Sequence, residues 1–130
     1  MTVYLCGPIN GCTDAECKTW RAFAIQNLKT DTLDPMARDY RGREKELGIA
    51  KDIVENDKKD IDNSDVLLVN YAKPSVGTSM EILYAWERSK GIVIVCDSES
   101  SISPWLVYHS WKIVHSMKEA CELINKWAKE

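Results

Sequence analysis

Asp65-Val-Leu-Leu-Val-Asn70, Lys73-Pro-Ser-Val-Gly77, Thr78-Ser-Met-Glu81 and Ile92-Val-Ile-Val-Cys96 follow one another in that order. The first and last are short apolar runs rich in β-branched residues, of strand length and without alternation, as in strands buried on both faces. Between them, Pro74 and Gly77 break regular structure, and Thr78 to Glu81 has the spacing of a capping box opening a helix to about Ser89. Strand, loop, helix, strand is the unit of a parallel sheet.

The same unit recurs on either side. Val3–Cys6 reads as a first strand, Gly7-Pro-Ile-Asn-Gly11 as a loop, and Thr13-Asp-Ala-Glu16 as a capping box opening a helix to about Leu28. Trp20, Phe23, Ala24 and Leu28 lie along one face of that helix. Thr32–Leu33 is a short strand ended by Asp34-Pro35, Arg38–Arg43 a polar loop, and 44–63 a helix. Ser103-Pro104 is an N-cap and first helical residue, Lys112–His115 a fifth strand, and Ser116-Met-Lys-Glu119 a third capping box. The fold class expected is α/β: a doubly wound, five-stranded parallel sheet with helices on both faces. Ligands of such sheets bind beyond the carboxyl ends of the strands, so the loops 7–12, 34–43, 71–78 and 97–103 are where a site is expected.

Composition limits the function. The 130 residues suit one domain, with 45% hydrophobic and 28% charged residues. The net charge of −3 argues against a generic nucleic-acid surface. The longest apolar runs fall far short of the ~20 residues that span a bilayer, and no basic segment precedes an apolar one at the N-terminus. Five cysteines, odd in number and without a Cys-x-x-Cys pair, suit the reducing cytoplasm better than a disulfide framework or a zinc site. His109 and His115 have no partner at metal-ligand spacing, so neither metal nor organic cofactor is expected. The five tryptophans are dispersed, which suits core packing or an oligomer interface rather than a nucleic-acid platform.

Several residues break this structural pattern. Asp57 falls inside the apolar stripe Leu47, Ala50, Ile53, Val54, Ile61, where a carboxylate is costly unless it is paired or faces a polar cleft. Glu81 either closes the capping box or is a carboxylate held ionised by the helix dipole. The 7–11 loop can cradle a phosphate, and Arg38, Arg41 and Arg43 form either a solvated face or an anion fork. Tyr4 points to the face opposite Val3 and Leu5.

Together these residues resemble the nucleoside 2-deoxyribosyltransferase family and the related deoxynucleoside 5′-monophosphate N-glycosidases. The resemblance runs through Tyr4-Leu-Cys-Gly-Pro-Ile-Asn-Gly11, Asp57, Ser64-Asp-Val-Leu-Leu-Val69 and Pro74-Ser-Val-Gly-Thr-Ser-Met-Glu-Ile-Leu-Tyr-Ala85. It implies a flavodoxin- or Rossmann-like fold, a nucleophile at Glu81, an acid at Asp57 and an orienting phenol at Tyr4. By the same resemblance, Gly7, Pro8, Ile9, Asn10, Ser75 and Gly77 bind the 5′ end of a nucleoside or nucleotide. A 5′-phosphate would need a further cation, for which Arg38, Arg41 or Arg43 is the candidate.

Two positions leave the subclass open. The transferases acting on free nucleosides carry an aspartate where this chain has Ser75, a residue that resembles the N-glycosidases; those carry an arginine where this chain has Asn10. The resemblance further implies a homo-oligomer, with the Ser103–Trp111 segment inserted into a neighbour and Tyr108 or His109 reaching its site. Asp57 on its apolar face is expected neutral, and Glu81 at a helix N-terminus ionised. The competing reading is a non-catalytic nucleotide-binding or sensor domain in which Glu81 is only a cap.

Overall fold

Five parallel strands in the order β2-β1-β3-β4-β5 form the sheet: β1 Thr2–Cys6, β2 Asp31–Leu33, β3 Val66–Asn70, β4 Gly91–Val95 and β5 Lys112–Val114. The structure is a computed structural model that describes residues 1–97 and 102–130. The part of the expected 97–103 loop at 98–101 lies outside the described residues. Helices α1 (Asp14–Asn27) and α5 (Met117–Ala128) cover one face, over Val3, Leu5, Val66, Leu68 and Val93. Helices α2 (Ile49–Asp62), α3 (Val76–Glu87) and α4 (Pro104–Tyr108) cover the other, over Tyr4, Cys6, Leu67, Val69, Ile92 and Ile94. The doubly wound α/β sheet is thus present. Because β1 and β3 are neighbours whose helices leave to opposite faces, a crevice opens between their carboxyl ends. Among the described residues no helix is long and apolar enough to cross a membrane.

Three local readings are corrected. The helix expected over 44–63 starts at Ile49, because the chain turns through Arg43–Glu46 and reaches a left-handed Gly48 (φ 82°) immediately before it. The stripe shifts accordingly: Ile49 is buried, while Leu47 and Ala50 are exposed. On α1 the buried line is Cys17, Arg21, Ala24 and Leu28, and Phe23 turns outward.

The third correction matters most for the site. Ser75, not Thr78, caps α3: it is extended (φ −150°) and its Oγ accepts the Thr78 N–H. Thr78 is already helical and buried. Glu81 is therefore the sixth helical residue rather than the third, and closes no capping box. By contrast, the capping box at Thr13 and Glu16 is complete in both directions.

β4 begins at a glycine for a packing reason. A Cβ on Gly91 would lie 2.5, 2.6 and 2.8 Å from three atoms of the Trp111 ring, which stacks edge-on against Trp127. Gly91→Ala is expected to lower stability by about 1–3 kcal/mol through overpacking. The loss should shrink in the Gly91→Ala/Trp111→Ala double variant, as residues in contact are not additive. Thermal unfolding of the four proteins checks this; an unchanged melting temperature in Gly91→Ala would mean that the indole swings away freely.

Candidate active site

Glu81 reaches the carboxyl end of β1 from the second turn of α3. Tyr4 and Cys6, two residues apart on one strand, project to the same face. The Tyr4 hydroxyl donates to Glu81 Oε2, and the Cys6 thiol lies 3.8 Å from Oε1 as a weak donor. Both carboxyl oxygens are therefore held from below by β1.

Above them is a cavity of about 330 Å³ lined by Ile53, Val54, Asp57, Ile61, Gly77, Met80, Glu81, Leu83 and Tyr84, among others. Its size suits a small ligand. The walls are largely apolar; Asp57, Glu81 and Glu87 are the acidic residues that line it, and Lys58 is the basic one.

Burial decides the protonation of this pair. Glu81 is pushed up to about 8, first by desolvation and then by the charge of Asp57; Tyr4, Arg21 and Cys6 act in the opposite direction. Asp57 is also raised by burial, with Arg38 opposing. Desolvation thus holds both carboxyls above their ordinary values and works against the ionised Glu81 that was expected. Sitting in the second turn rather than at the helix end, Glu81 gains little from the dipole, and desolvation wins. Burial likewise raises Tyr4 and Cys6, so both remain protonated donors.

Asp57 is paired and also lines the cavity. Its Oδ1 lies 3.3 Å from Arg38 Nη2, which also binds Asp60 at 2.6 Å. Arg38 follows a 3₁₀ turn over Pro35–Ala37 and is engaged by these two carboxylates rather than presented as an anion fork. Arg41 is held by Asp39, Asp14 and the Cys12 carbonyl, and Arg43 by Glu46.

The other expected residues divide between two places. Gly77 lines the Glu81 cavity and Ser75 caps the same helix one turn earlier. Gly7 and Pro8 are buried, Ile9 is half-buried and Asn10 exposed. Gly7 allows a close approach: a Cβ there would lie 2.7 Å from the Trp20 ring and 3.3 Å from the Asn70 carbonyl. Pro8 faces a separate cavity against α1, beside Trp20 and Lys73.

His109 is not brought to Glu81 within this chain. Its ring packs against Trp86, Trp105 and Tyr108, on the far side of Met80 and Leu83. Sequence reasoning missed Cys6 and Arg21 as site neighbours. Cys6 shares the face of Tyr4, and Arg21 falls at helical spacing among the buried Cys17, Ala24 and Leu28; those spacings were the available signals.

Comparison with known proteins bears on the fold and the family. No curated protein matches the chain. Among solved structures, a conserved protein from Enterococcus faecalis V583 superposes with a TM-score of 0.75 at 17% identity, covering 97% of this chain and 98% of that one. A 2-deoxyribosyltransferase from Bacillus psychrosaccharolyticus gives 0.73 at 15% identity, over 92% of this chain and 90% of its own. A CMP N-glycosidase from Clostridium botulinum gives 0.66 at 15% identity, over 98% and 99%. At these identities the likeness is one of fold. The profile of the family described as nucleoside 2-deoxyribosyltransferase matches residues 3–124, nearly the whole chain, and the protein belongs to that family.

Proposed function

We propose that the cavity cleaves the N-glycosidic bond of a (deoxy)nucleoside or its 5′-monophosphate, with retention, through a glycosyl ester on Glu81. The observation that carries this reading is the carboxyl of Glu81 on the cavity floor, held at both oxygens by β1, with Asp57 lining the same cavity. A cap would face its own helix terminus; this side chain faces an opening of ligand size.

The pair shares one proton and one negative charge when active. Asp57 carries the proton and Glu81 the charge once substrate is bound. Glu81 attacks the anomeric carbon as the bond to the base breaks, and Asp57 gives its proton to the departing base. In the second half, an acceptor base or water attacks the same carbon, Glu81 leaves as carboxylate, and the proton lost by the attacking group returns to Asp57. Tyr4 keeps the Glu81 rotamer and Arg38 orients Asp57. Two carboxyls with a shared proton titrate as a unit, and the raised Glu81 is what leaves an acid available near neutrality.

The 5′ end is assigned to Gly7, Pro8, Ile9, Asn10, Ser75 and Gly77. A hydrolase confined to the 5′-monophosphate is favoured by one feature: Ser75 stands at the N-terminus of α3, where a hydroxyl proton and the first-turn N–H groups suit an anion. A homo-oligomer is part of the proposal. Val54, Met80 and Leu83 at the cavity, with Met80 67% exposed, and Trp105 and Tyr108 beside His109 leave exposed apolar surface that a second copy would cover.

Glu81→Gln should lower kcat by about 10³-fold or more. The variant should remain folded, and its melting temperature should gain on the parent as pH rises. A carboxyl whose folded pKa is raised adds stability at low pH that is lost as pH climbs through about 8, and the amide has no such loss. Turnover retained in Glu81→Gln would overturn the covalent role of Glu81, and a parent protein without turnover would leave the sensor reading.

The pH dependence of kcat/KM should be bell-shaped. The acid limb should lie above the ordinary aspartate range, because burial raises Asp57, and the alkaline limb near 8, where the pair loses its last proton. A rate that keeps rising through the alkaline limb would show that no proton on the pair is used.

Chromatography of a deoxynucleoside and of its 5′-monophosphate, each with and without an acceptor base, decides the subclass. Base exchange on the free nucleoside is the expected result for a transferase. Free base from the monophosphate alone would establish the hydrolase.

A further inference from the structure

Arg21 is the largest fully buried side chain of the described residues, with 1% of its surface exposed, and it is a cation. Burying a guanidinium is costly unless its donors and its charge are both compensated. Its donors are largely used. β2 ends at Leu33, opposite Tyr4, so the last residues of β1 have lost their ladder partner on that side. Arg21 occupies this notch: Nη2 donates to the Leu5 and Gly7 carbonyls at 3.4 and 3.2 Å, and Nη1 to the Cys17 carbonyl at 2.8 Å. Its guanidinium carbon lies 4.5 Å from the centre of the Trp20 ring.

Its charge is compensated far less well. Asp34 is its salt-bridge partner, 3.5 Å from Nε, and Nε makes no hydrogen bond. Asp34 is already accepting from the Met36 N–H, in the turn that leads to Arg38. The other titratable groups facing Arg21 are Tyr4 and Cys6 on β1 and Cys17 on α1, all protonated donors or thiols. The Leu5 and Gly7 carbonyls that Arg21 binds flank Cys6, whose thiol lies 3.8 Å from Glu81 Oε1, so the guanidinium stands behind the strand end that carries the carboxyl pair. The charged and titratable groups on the side of Glu81 are Asp57, Tyr4 and Cys6, with Arg38 on Asp57 and with Lys58 and Glu87 lining the same cavity.

We propose that Arg21 is a positioning residue: it is the fixed positive charge behind β1 that lets the Glu81–Asp57 pair hold a negative charge out of water. The inference rests on the catalytic reading of that pair. Arg21 touches no substrate. It acts through the field at the strand end and through the carbonyls that fix where Tyr4, Cys6 and the Gly7 backbone sit. A cation outside the cavity has an advantage over one inside it, since it stabilises the nucleophile without forming an ion pair that substrate would have to break.

The test is the titration of Glu81 itself, followed by carbon-13 NMR of the carboxyl in glutamate-labelled protein and assigned by the signal lost in Glu81→Gln. In Arg21→Met the midpoint should move up by about half a pH unit or more, and the alkaline limb of kcat/KM should follow it. At neutral pH kcat should fall by about threefold or more, with KM little changed. Arg21→Lys, which keeps the charge and loses the fork, should bring the midpoint back toward the parent. Replacement of a buried ion by an apolar side chain is often tolerated, so Arg21→Met should fold; where it does not, Arg21→Gln supplies the same neutral comparison. A folded neutral variant with the parental midpoint, or an Arg21→Lys midpoint displaced as far as that of Arg21→Met, would overturn the proposal. Because the titration needs no turnover, it reports on Arg21 separately from the fate of the catalytic reading, which Glu81→Gln decides.

Discussion

A carboxyl group that must sit out of water and still be able to ionise is the constraint around which this molecule is arranged. Glu81 is half-buried against the sheet, and the desolvation of its carboxyl alone would keep it protonated. What offsets the desolvation is local and directional. The Tyr4 hydroxyl and the Cys6 thiol come from one strand, and Arg21 adds a charge from behind. Each depends on the carboxyl end of β1 lying in one place, so the register of β1 between β2 and β3 is as much a part of the site as the side chains are.

The unequal lengths of the strands produce that arrangement. β1 and β3 have five residues each, whereas β2 has three. Beyond β2 the chain turns through Pro35–Ala37, leaving a notch beside β1 that Arg21 fills. The same turn returns Arg38 to α2, where it meets Asp57 and Asp60. Two arginines on opposite sides of the short strand thus bracket the two acids, Arg21 through the strand end and Arg38 by direct contact. The chain that carries this arrangement belongs to the nucleoside 2-deoxyribosyltransferase family, and its fold is like those of a 2-deoxyribosyltransferase and a CMP N-glycosidase.

Much of the fold was legible in the chain because its signals are local. The uninterrupted Val66–Val69 and Ile92–Val95 runs follow from strands covered on both faces, and the Thr13 to Glu16 spacing marks a helix start without reference to anything distant. Legibility failed where two local signals competed. Thr78 and Glu81 have the spacing of a capping box, yet Ser75 three residues earlier is also a good cap, and it wins because starting α3 there turns Thr78 and Ile82 into the core. Gly48 likewise interrupts a helix that periodicity would carry back to Glu44. The acidic residues of the site showed themselves in the sequence as anomalies, Asp57 by its place in an apolar stripe and Glu81 through its family resemblance.

The sequence by itself determined the parallel α/β sheet and the family, since strand burial, turn chemistry and motif spacing are properties of short stretches of chain. Tertiary structure decided how far the two acids resist ionisation, where the arginines go and which strand holds Glu81. Those depend on desolvation and on charges brought together from residues 4, 21, 38, 57 and 81. Electric fields act through space rather than along the backbone, and no reading confined to neighbours in sequence can sum them.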